Sequence, residues 1–139
     1  YTDESMRSTV VPFRNGILLA IAIGYAESNG LDEVLIANHS GDHAIYPDCR
    51  WPFINAMCYA AGLGTYNHVS VLGPFSHLSK KEIADRGYAG GFDFTLTWSC
   101  YKGENFHCGT CGTCTERREA LGANDPTIYA GGKNGHSRI

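Results

Sequence analysis

Four cysteines, Cys100, Cys108, Cys111 and Cys114, fall within fifteen residues of the stretch WSCYKGENFHCGTCGTC. Thiols at this density close disulfides, exchange electrons as a pair, or hold a metal. Short C-x2-C turns let two sulfurs converge on one ion. Gly109 and Gly112, directly after Cys108 and Cys111, relieve the backbone strain of such turns. Four thiolates suit Zn2+ in a closed, structural, tetrahedral site. An iron–sulfur cluster is the rival, because C-x2-C-x2-C also occurs in ferredoxins. The ferredoxin run has its next Cys three residues on, followed by Pro, and here that position is Arg118. Disulfides fit less well, since four thiols this close make poor loop-closing staples. A redox pair needs only one C-x2-C, near a helix start after a strand. Cys58 lies on an apolar helical face and reads as a small buried hydrophobe. Cys49, in YPDCR, is either packing or a nucleophile.

Two polar segments carry the other chemistry. HSGDHAIYPDCR (39–50) offers Asp42, His43, Asp48 and Arg50. A carboxylate accepts two N–H bonds from a guanine-like edge, and a guanidinium holds a carboxylate bidentately. The alternative is that Asp48 caps the following helix and Arg50 is solvated. His39 and His43 stand four apart, but the intervening Gly41 speaks against a helical metal pair. VVPFRNG places Arg14 and Asn15 at a helix N-terminus, a ready anion site, with Asn15 as cap; a solvated arginine beside a cap is the alternative. Lys80 lies in the first turn of another helix. That end disfavours cations, so a nearby anion would explain it, unless it is a plain surface lysine.

The elements that must position these residues alternate. Residues 16–30 predict a helix, with Ile17, Ile21 and Tyr25 on its apolar face and Gly30 as its stop. EVLIAN (33–38) reads as a buried parallel strand and HVSVLG (68–73) as a second. Between them, 51–64 is helical, with Pro52 in its first turn. SKKE (79–82) fits a capping box opening a helix through Arg86, and TERREALG (115–122) predicts a short helix ending at Gly122. Residues 1–9 read as a loop and 131–139 as a disordered tail. The order predicts an α/β fold with a parallel sheet. Two strands cannot make a doubly wound sheet, so strands are expected upstream or from a partner.

Composition narrows the class. A net charge of −3 over 139 residues argues against a general nucleic-acid or membrane-surface binder. No apolar run approaches the length of a membrane span, and no secretory signal pattern opens the chain. The start at Tyr1 rather than Met marks the chain as a fragment in this reading.

Together, VPFRNG, GDHAIYPDCR, LSKKEI and LTWSCYKG…CGTCGTCTERREA resemble the 7-cyano-7-deazaguanine synthases of queuosine biosynthesis, a tRNA-modification pathway. The resemblance runs from about Thr9 to Ala130. It implies an adenine nucleotide alpha-hydrolase (ATP pyrophosphatase) domain, a parallel sheet with helices on both faces. Residues 1–130 would be its C-terminal part, with a zinc knuckle at 98–118. It implies one structural Zn2+ on Cys100, Cys108, Cys111 and Cys114. It implies a cytoplasmic, homodimeric ligase that makes the nitrile from 7-carboxy-7-deazaguanine, ammonia and ATP, with Mg2+ beside the ATP. Catalytic residues remain unassigned. Arg14, Asn15 and Lys80 are the candidates for nucleotide; Asp42, Asp48 and Arg50 are those for the deazaguanine acid. The family's Ser-Gly-Gly-x-Asp-Ser phosphate loop has no counterpart in the 139 residues, so the chain alone is expected to be inactive. A shorter segment before DPT is a lesser departure. The competing readings are a deazaguanine amide-forming or protein-conjugating enzyme, a zinc-knuckle binding module without catalysis, and an inactive remnant.

Overall fold

The structure is a computed structural model, and it describes residues 10–103 and 105–130. The expected loop at 1–9 and tail at 131–139 lie outside the described residues. Chain contacts divide the protein into two compact units, 1–79 and 80–139.

The first unit contains helix α1 (Arg14–Ser28), strand β1 (Glu33–Leu35), helix α2 (Trp51–Gly64) and strand β2 (Ser70–Leu72), with two short 3-10 turns, Ser40–Ala44 and Pro47–Cys49. The strands pair in parallel with Val34 opposite Val71. Side chains alternate between faces in such a strand. Val34 and Val71 therefore share the face that packs on Leu19 of α1 and on Ile54 and Ala61 of α2. Leu35 and Leu72 point the other way and are exposed. EVLIAN is thus a one-faced strand of three residues, not a run buried on both sides. The expected helices on both faces are met on one face only among the described elements of this unit.

α1 also differs from expectation. Leu19 and Ala26 are its buried apolar positions, with Ile23 packed on the core, while Ile17, Ile21 and Tyr25 are all more than half exposed. The helix is apolar almost all round, so its pattern could not say which face turns inward. Its cap residue is Phe13, held at φ 57 with no side-chain cap, and Asn15 lies inside the first turn. The C-terminal signal does hold: the helix ends at Ser28 and Gly30 follows at φ 67.

The second unit contains helix α3 (Lys80–Ala89), a 3-10 turn at Phe94–Leu96, and helix α4 (Gly112–Leu121), which packs against α3. α3 outruns its predicted end at Arg86. α4 begins three residues earlier than predicted, directly after Cys111. Gly112 therefore serves as the first helical residue and not as a strained turn. A parallel bridge, His107 to Tyr129, closes the segment between the helices onto the chain beyond α4. Among the described residues, no helix is long and apolar enough to cross a membrane.

Candidate metal centre and polar loop

Cys100, Cys108, Cys111 and Cys114 bring their sulfurs within 4.8 Å of one another. Sγ of Cys111 lies 3.9 Å from that of Cys100 and 3.4 Å from that of Cys114; Cys108 and Cys114 are 4.0 Å apart. Four ligands at zinc–sulfur distance, about 2.3 Å, define a tetrahedron with edges of about 3.8 Å. The donor set therefore fits one metal ion. The separations are far beyond a disulfide bond of about 2.05 Å. A cluster of several irons would hold its thiolates farther apart than a single ion does.

Two similar turns build the cage. After Cys100, the N–H groups of Lys102 and Gly103 point at its sulfur, at 3.3 and 3.0 Å. After Cys108, the N–H groups of Thr110 and Cys111 do the same, at 3.4 and 3.3 Å. The first turn also receives Cys108 N–H on Cys100 Sγ, at 3.2 Å. It needs glycine at its end, because a Cβ on Gly103 would stand 1.9 Å from Phe106 O. Gly109, at φ 74, supplies the left-handed residue of the second turn. Cys111 caps α4 and Cys114 occupies its first turn, so the helix places the last two sulfurs.

The turns also set the protonation of the thiols. The Thr110 hydroxyl, then its N–H, pulls the half-buried Cys108 thiol down to about 5. Burial pushes Cys114 up to about 12, and hydrogen bonds with the neighbouring sulfurs add to it. A bound cation would remove the Cys114 proton outright.

Around the cage, Arg118 stacks over the Tyr129 ring at 4.0 Å and donates to Gly109 O at 2.8 Å. Tyr129 donates its hydroxyl to Asp125 at 2.7 Å. Trp98 stacks on His107 at 4.2 Å and donates Nε1 to Cys100 O at 2.7 Å. Burial, then the charge of Arg117, lowers the His107 pKa, in keeping with Nε2 accepting from Ser99 N–H at 3.1 Å. The Cys100–Gly103 turn and these supporting residues escape a reading based on cysteine spacing. The one available signal was a glycine three residues after Cys100.

The polar loop of the first unit is tied together differently. Asp48 Oδ2 accepts the Asn15 N–H at 2.8 Å, so this carboxylate caps α1 and not the α2 that follows it. Asn15 Nδ2 reaches Cys49 Sγ at 3.1 Å, and Asn38 Nδ2 reaches Cys49 O at 2.7 Å. Asp42 forms a capping box with His39, whose Nε2 lies 3.1 Å from Asp42 Oδ1. Burial, then Asp42 and Asp48, pushes Cys49 up to about 11. It is a buried neutral thiol, which fits packing better than nucleophilic attack. Cys58 packs on the core and accepts the Val71 N–H at 3.3 Å. Arg50 is exposed and donates Nε to His43 O at 2.9 Å. Asn15 and Asp48 are in direct contact, and Asp42, Asp48 and Arg14 all act electrostatically on Cys49. Lys80 belongs to the second unit, where Glu116 supplies its anion.

Comparison with known proteins bears on both regions. A relative from Porphyromonas gingivalis named 7-cyano-7-deazaguanine synthase is 58% identical over 134 residues, 94% of this chain and 61% of that protein. One from Desulfotalea psychrophila, with the same name, is 57% identical over 121 residues, 87% of this chain and 55% of that protein. One from Brucella anthropi, again with that name, is 48% identical over 134 residues, 93% of this chain and 58% of that protein. The chain thus spans less than two thirds of the length of these relatives. A family model described as "Queuosine biosynthesis protein QueC" matches residues 1–125, which takes in the polar loop and all four cage cysteines. By that match and these identities, the chain belongs to the QueC family of queuosine biosynthesis.

Proposed function

We propose that this chain contributes to an ATP-dependent conversion of 7-carboxy-7-deazaguanine and ammonia to 7-cyano-7-deazaguanine. The observation that carries the reading is the 58% identity to a relative bearing that product's name, over a match that includes YPDCR and the cysteine cage. The chemistry explains the need for ATP. A carboxylate resists ammonia because oxide is a poor leaving group. Adenylation makes a mixed anhydride and releases pyrophosphate; ammonia then displaces AMP to give the amide. A second adenylation activates the amide oxygen, whose departure leaves the nitrile. Such a site must place cationic donors where negative charge develops.

In this reading Arg14, Asn15 and Lys80 serve the nucleotide, with Mg2+ at its phosphates. Asp42, Asp48 and Arg50 serve the deazaguanine acid. Asp48 spends Oδ2 on α1, and among the described residues its Oδ1 makes no hydrogen bond. The ion in the cage is zinc, one per chain, held by sulfur alone and structural, since the four thiolates leave no open position. Residues 1–130 act as the C-terminal part of one ATP pyrophosphatase-type domain, in a cytoplasmic homodimer. The 139 residues hold no Ser-Gly-Gly-x-Asp-Ser stretch, so by themselves they should make no nitrile.

The test is a pair of incubations with the acid, ammonium and ATP, read by mass spectrometry. One uses this chain, the other a chimera carrying the unmatched segment of a full-length relative. Nitrile from the chimera alone is expected. Amide or a protein conjugate as the end product would move the chain to a different reaction. Nitrile from the bare chain would show that the phosphate loop is dispensable.

A further inference from the structure

Arg117 is buried, 7% exposed, in the second turn of α4. Its Nε donates to Thr127 Oγ1 at 2.6 Å. Nη1 donates to Thr97 Oγ1 at 2.8 Å and Ser99 Oγ at 3.3 Å, and Nη2 donates to Phe94 O at 2.8 Å. Every one of these acceptors is neutral. A guanidinium has five N–H groups, so one on Nη2 is left over. Among the described residues Arg117 makes no ion pair. Asp125 feels its charge, but that carboxylate is committed to the Thr127 N–H and the Tyr129 hydroxyl. Burying a charge without a counter-charge is costly, and buried charges in proteins are as a rule paired.

Arg117 also lines an open cavity of about 420 Å³ within the second unit. Phe94, Trp98 and Tyr101 form aromatic walls. Lys80 and Glu116 are the other charged groups at its lining, so two cations there face one carboxylate. Lys80 is already paired with Glu116. The surplus charge is that of Arg117, in a chain whose net charge is −3.

We propose that this cavity binds a planar aromatic carboxylate, stacked among Phe94, Trp98 and Tyr101, with Arg117 as its counter-charge. The volume suits a fused bicyclic ring system. The aromatic walls favour a flat π-system, and the unpaired guanidinium favours one negative charge over none. The inference deepens the proposed function and rests on it for the natural occupant: 7-carboxy-7-deazaguanine belongs to this ligand class and its nitrile product does not.

Trp98 supplies the readout. The chain has two tryptophans, so Trp51→Phe leaves Trp98 as the sole tryptophan, excited selectively at the red edge where its tyrosines do not absorb. This variant of the full chain is titrated with indole-3-carboxylate, indole-3-carbonitrile, the deazaguanine acid and the deazaguanine nitrile. Each carboxylate should quench or shift Trp98 at concentrations at least tenfold below those its nitrile needs. Adding Arg117→Lys, which keeps the charge but loses the fork, should shrink that preference. Adding Arg86→Ala, which removes an exposed arginine of α3 outside the lining, should leave it intact. Equal responses to acid and nitrile, or none, from a Trp51→Phe chain whose circular dichroism matches the parent would overturn the proposal. A preference for indole-3-carboxylate with no response to the deazaguanine acid would support the cavity's ligand class while counting against the proposed function. A preference that survives Arg117→Lys undiminished would overturn the role of Arg117.

Discussion

The cage and the 39–50 loop both gather backbone N–H groups around a few heteroatoms, and they do so over different distances along the chain. In the cage, N–H donors two and three residues away converge on Cys100 and Cys108. In the loop, Asp48 takes its N–H from Asn15, 33 positions earlier, and Asn38 reaches Cys49 across 11. The cage is a local turn design that gathers four like donors around one point. The loop is a tertiary device that holds the start of α1 against the end of another segment. A local design of this kind would depend on a bound ion, because four thiols and two glycine-bearing turns bury little apolar surface of their own. A tertiary device depends on the core beneath it, here Leu19, Ile54, Ala61 and Val71.

The largest expected effect follows from that dependence. Structural metal sites contribute folding free energy directly. Stripping the ion with a strong chelator at pH 7, or replacing buried Cys114 with Ser, should lower the melting temperature of the second unit by about 10 °C or more. The core of the first unit should melt nearly unchanged, as followed by hydrogen exchange of Val71 and Ile54. Equal loss in both units would break the contrast. X-ray absorption should find about one zinc per chain, with sulfur ligands only. Iron, or a nitrogen ligand, would sink the zinc assignment.

The cage also carries a pH signature. Cys108 is held down to about 5, so at pH 7 it is a thiolate before any ion arrives. Cys114, pushed up to about 12, is not. Zinc binding at pH 7 should therefore release fewer than four protons per ion, measured by calorimetry in buffers of different ionisation enthalpy. The sign follows from the lowered value. The Cys108 contribution is complete above the ordinary thiol value of 9.0, declines as pH falls, and is gone below about 5. Release of four protons would show that the Thr110 donors do not hold a thiolate.

This contrast also explains what the sequence could disclose. Cysteine spacing is local, so the four-cysteine cluster was readable with no knowledge of the fold. The pairing of Asn15 with Asp48 needs α1 and the Pro47–Cys49 turn brought together, and neither residue's neighbours announce it. The same limit misassigned Asn15 as a cap. Phe13 takes that position with a left-handed backbone that nothing in VVPFRNG demands. The inward face of α1 was hidden by apolar residues on every side. Both strands were found, because Val and Leu bounded by polar turns are a local signal, but their burial on one face depended on what packs above them. Arg117 was unreadable: its acceptors come from Phe94, Thr97, Ser99 and Thr127, and an arginine in TERREALG looks like any surface arginine.

A smaller effect separates structure from ligand in the loop. Asp48→Ala removes the acceptor that caps α1 and should cost the first unit about 1–2 kcal/mol in a denaturant titration. Arg50→Ala loses only an exposed bond to His43 O and should stay within about 0.5 kcal/mol. In the chimera, both variants should weaken binding of the deazaguanine acid, by roughly 30- to 150-fold for a buried charge-assisted contact. If Asp48→Ala destabilises the unit but binds the acid like the parent, that carboxylate is a cap and nothing more.

The smallest effect is expected at Cys49, and it tests the loop's interior. A thiol raised to about 11 is ionised at pH 8 to roughly one part in a thousand, about a hundredfold less than an ordinary thiol at 9.0. Alkylating agents attack the thiolate, so Cys49 should react at least ~100-fold more slowly than a small free thiol, and burial should slow it further. With the cage loaded to protect its four sulfurs, mass mapping after iodoacetamide treatment at pH 8 should find Cys49 unmodified while the chain is folded and modified once it is denatured. The raised value also fixes a direction for stability: the contribution is present below 9.0 and fades as pH rises through about 11. Cys49→Ser keeps a partner for Asn15 Nδ2 in nearly the same place. In the chimera it should leave nitrile formation within about twofold of the parent. Rapid alkylation of the folded chain, together with loss of nitrile in Cys49→Ser, would instead make Cys49 a nucleophile. The loop would then be a reactive centre and no longer the tertiary brace that its hydrogen bonds describe.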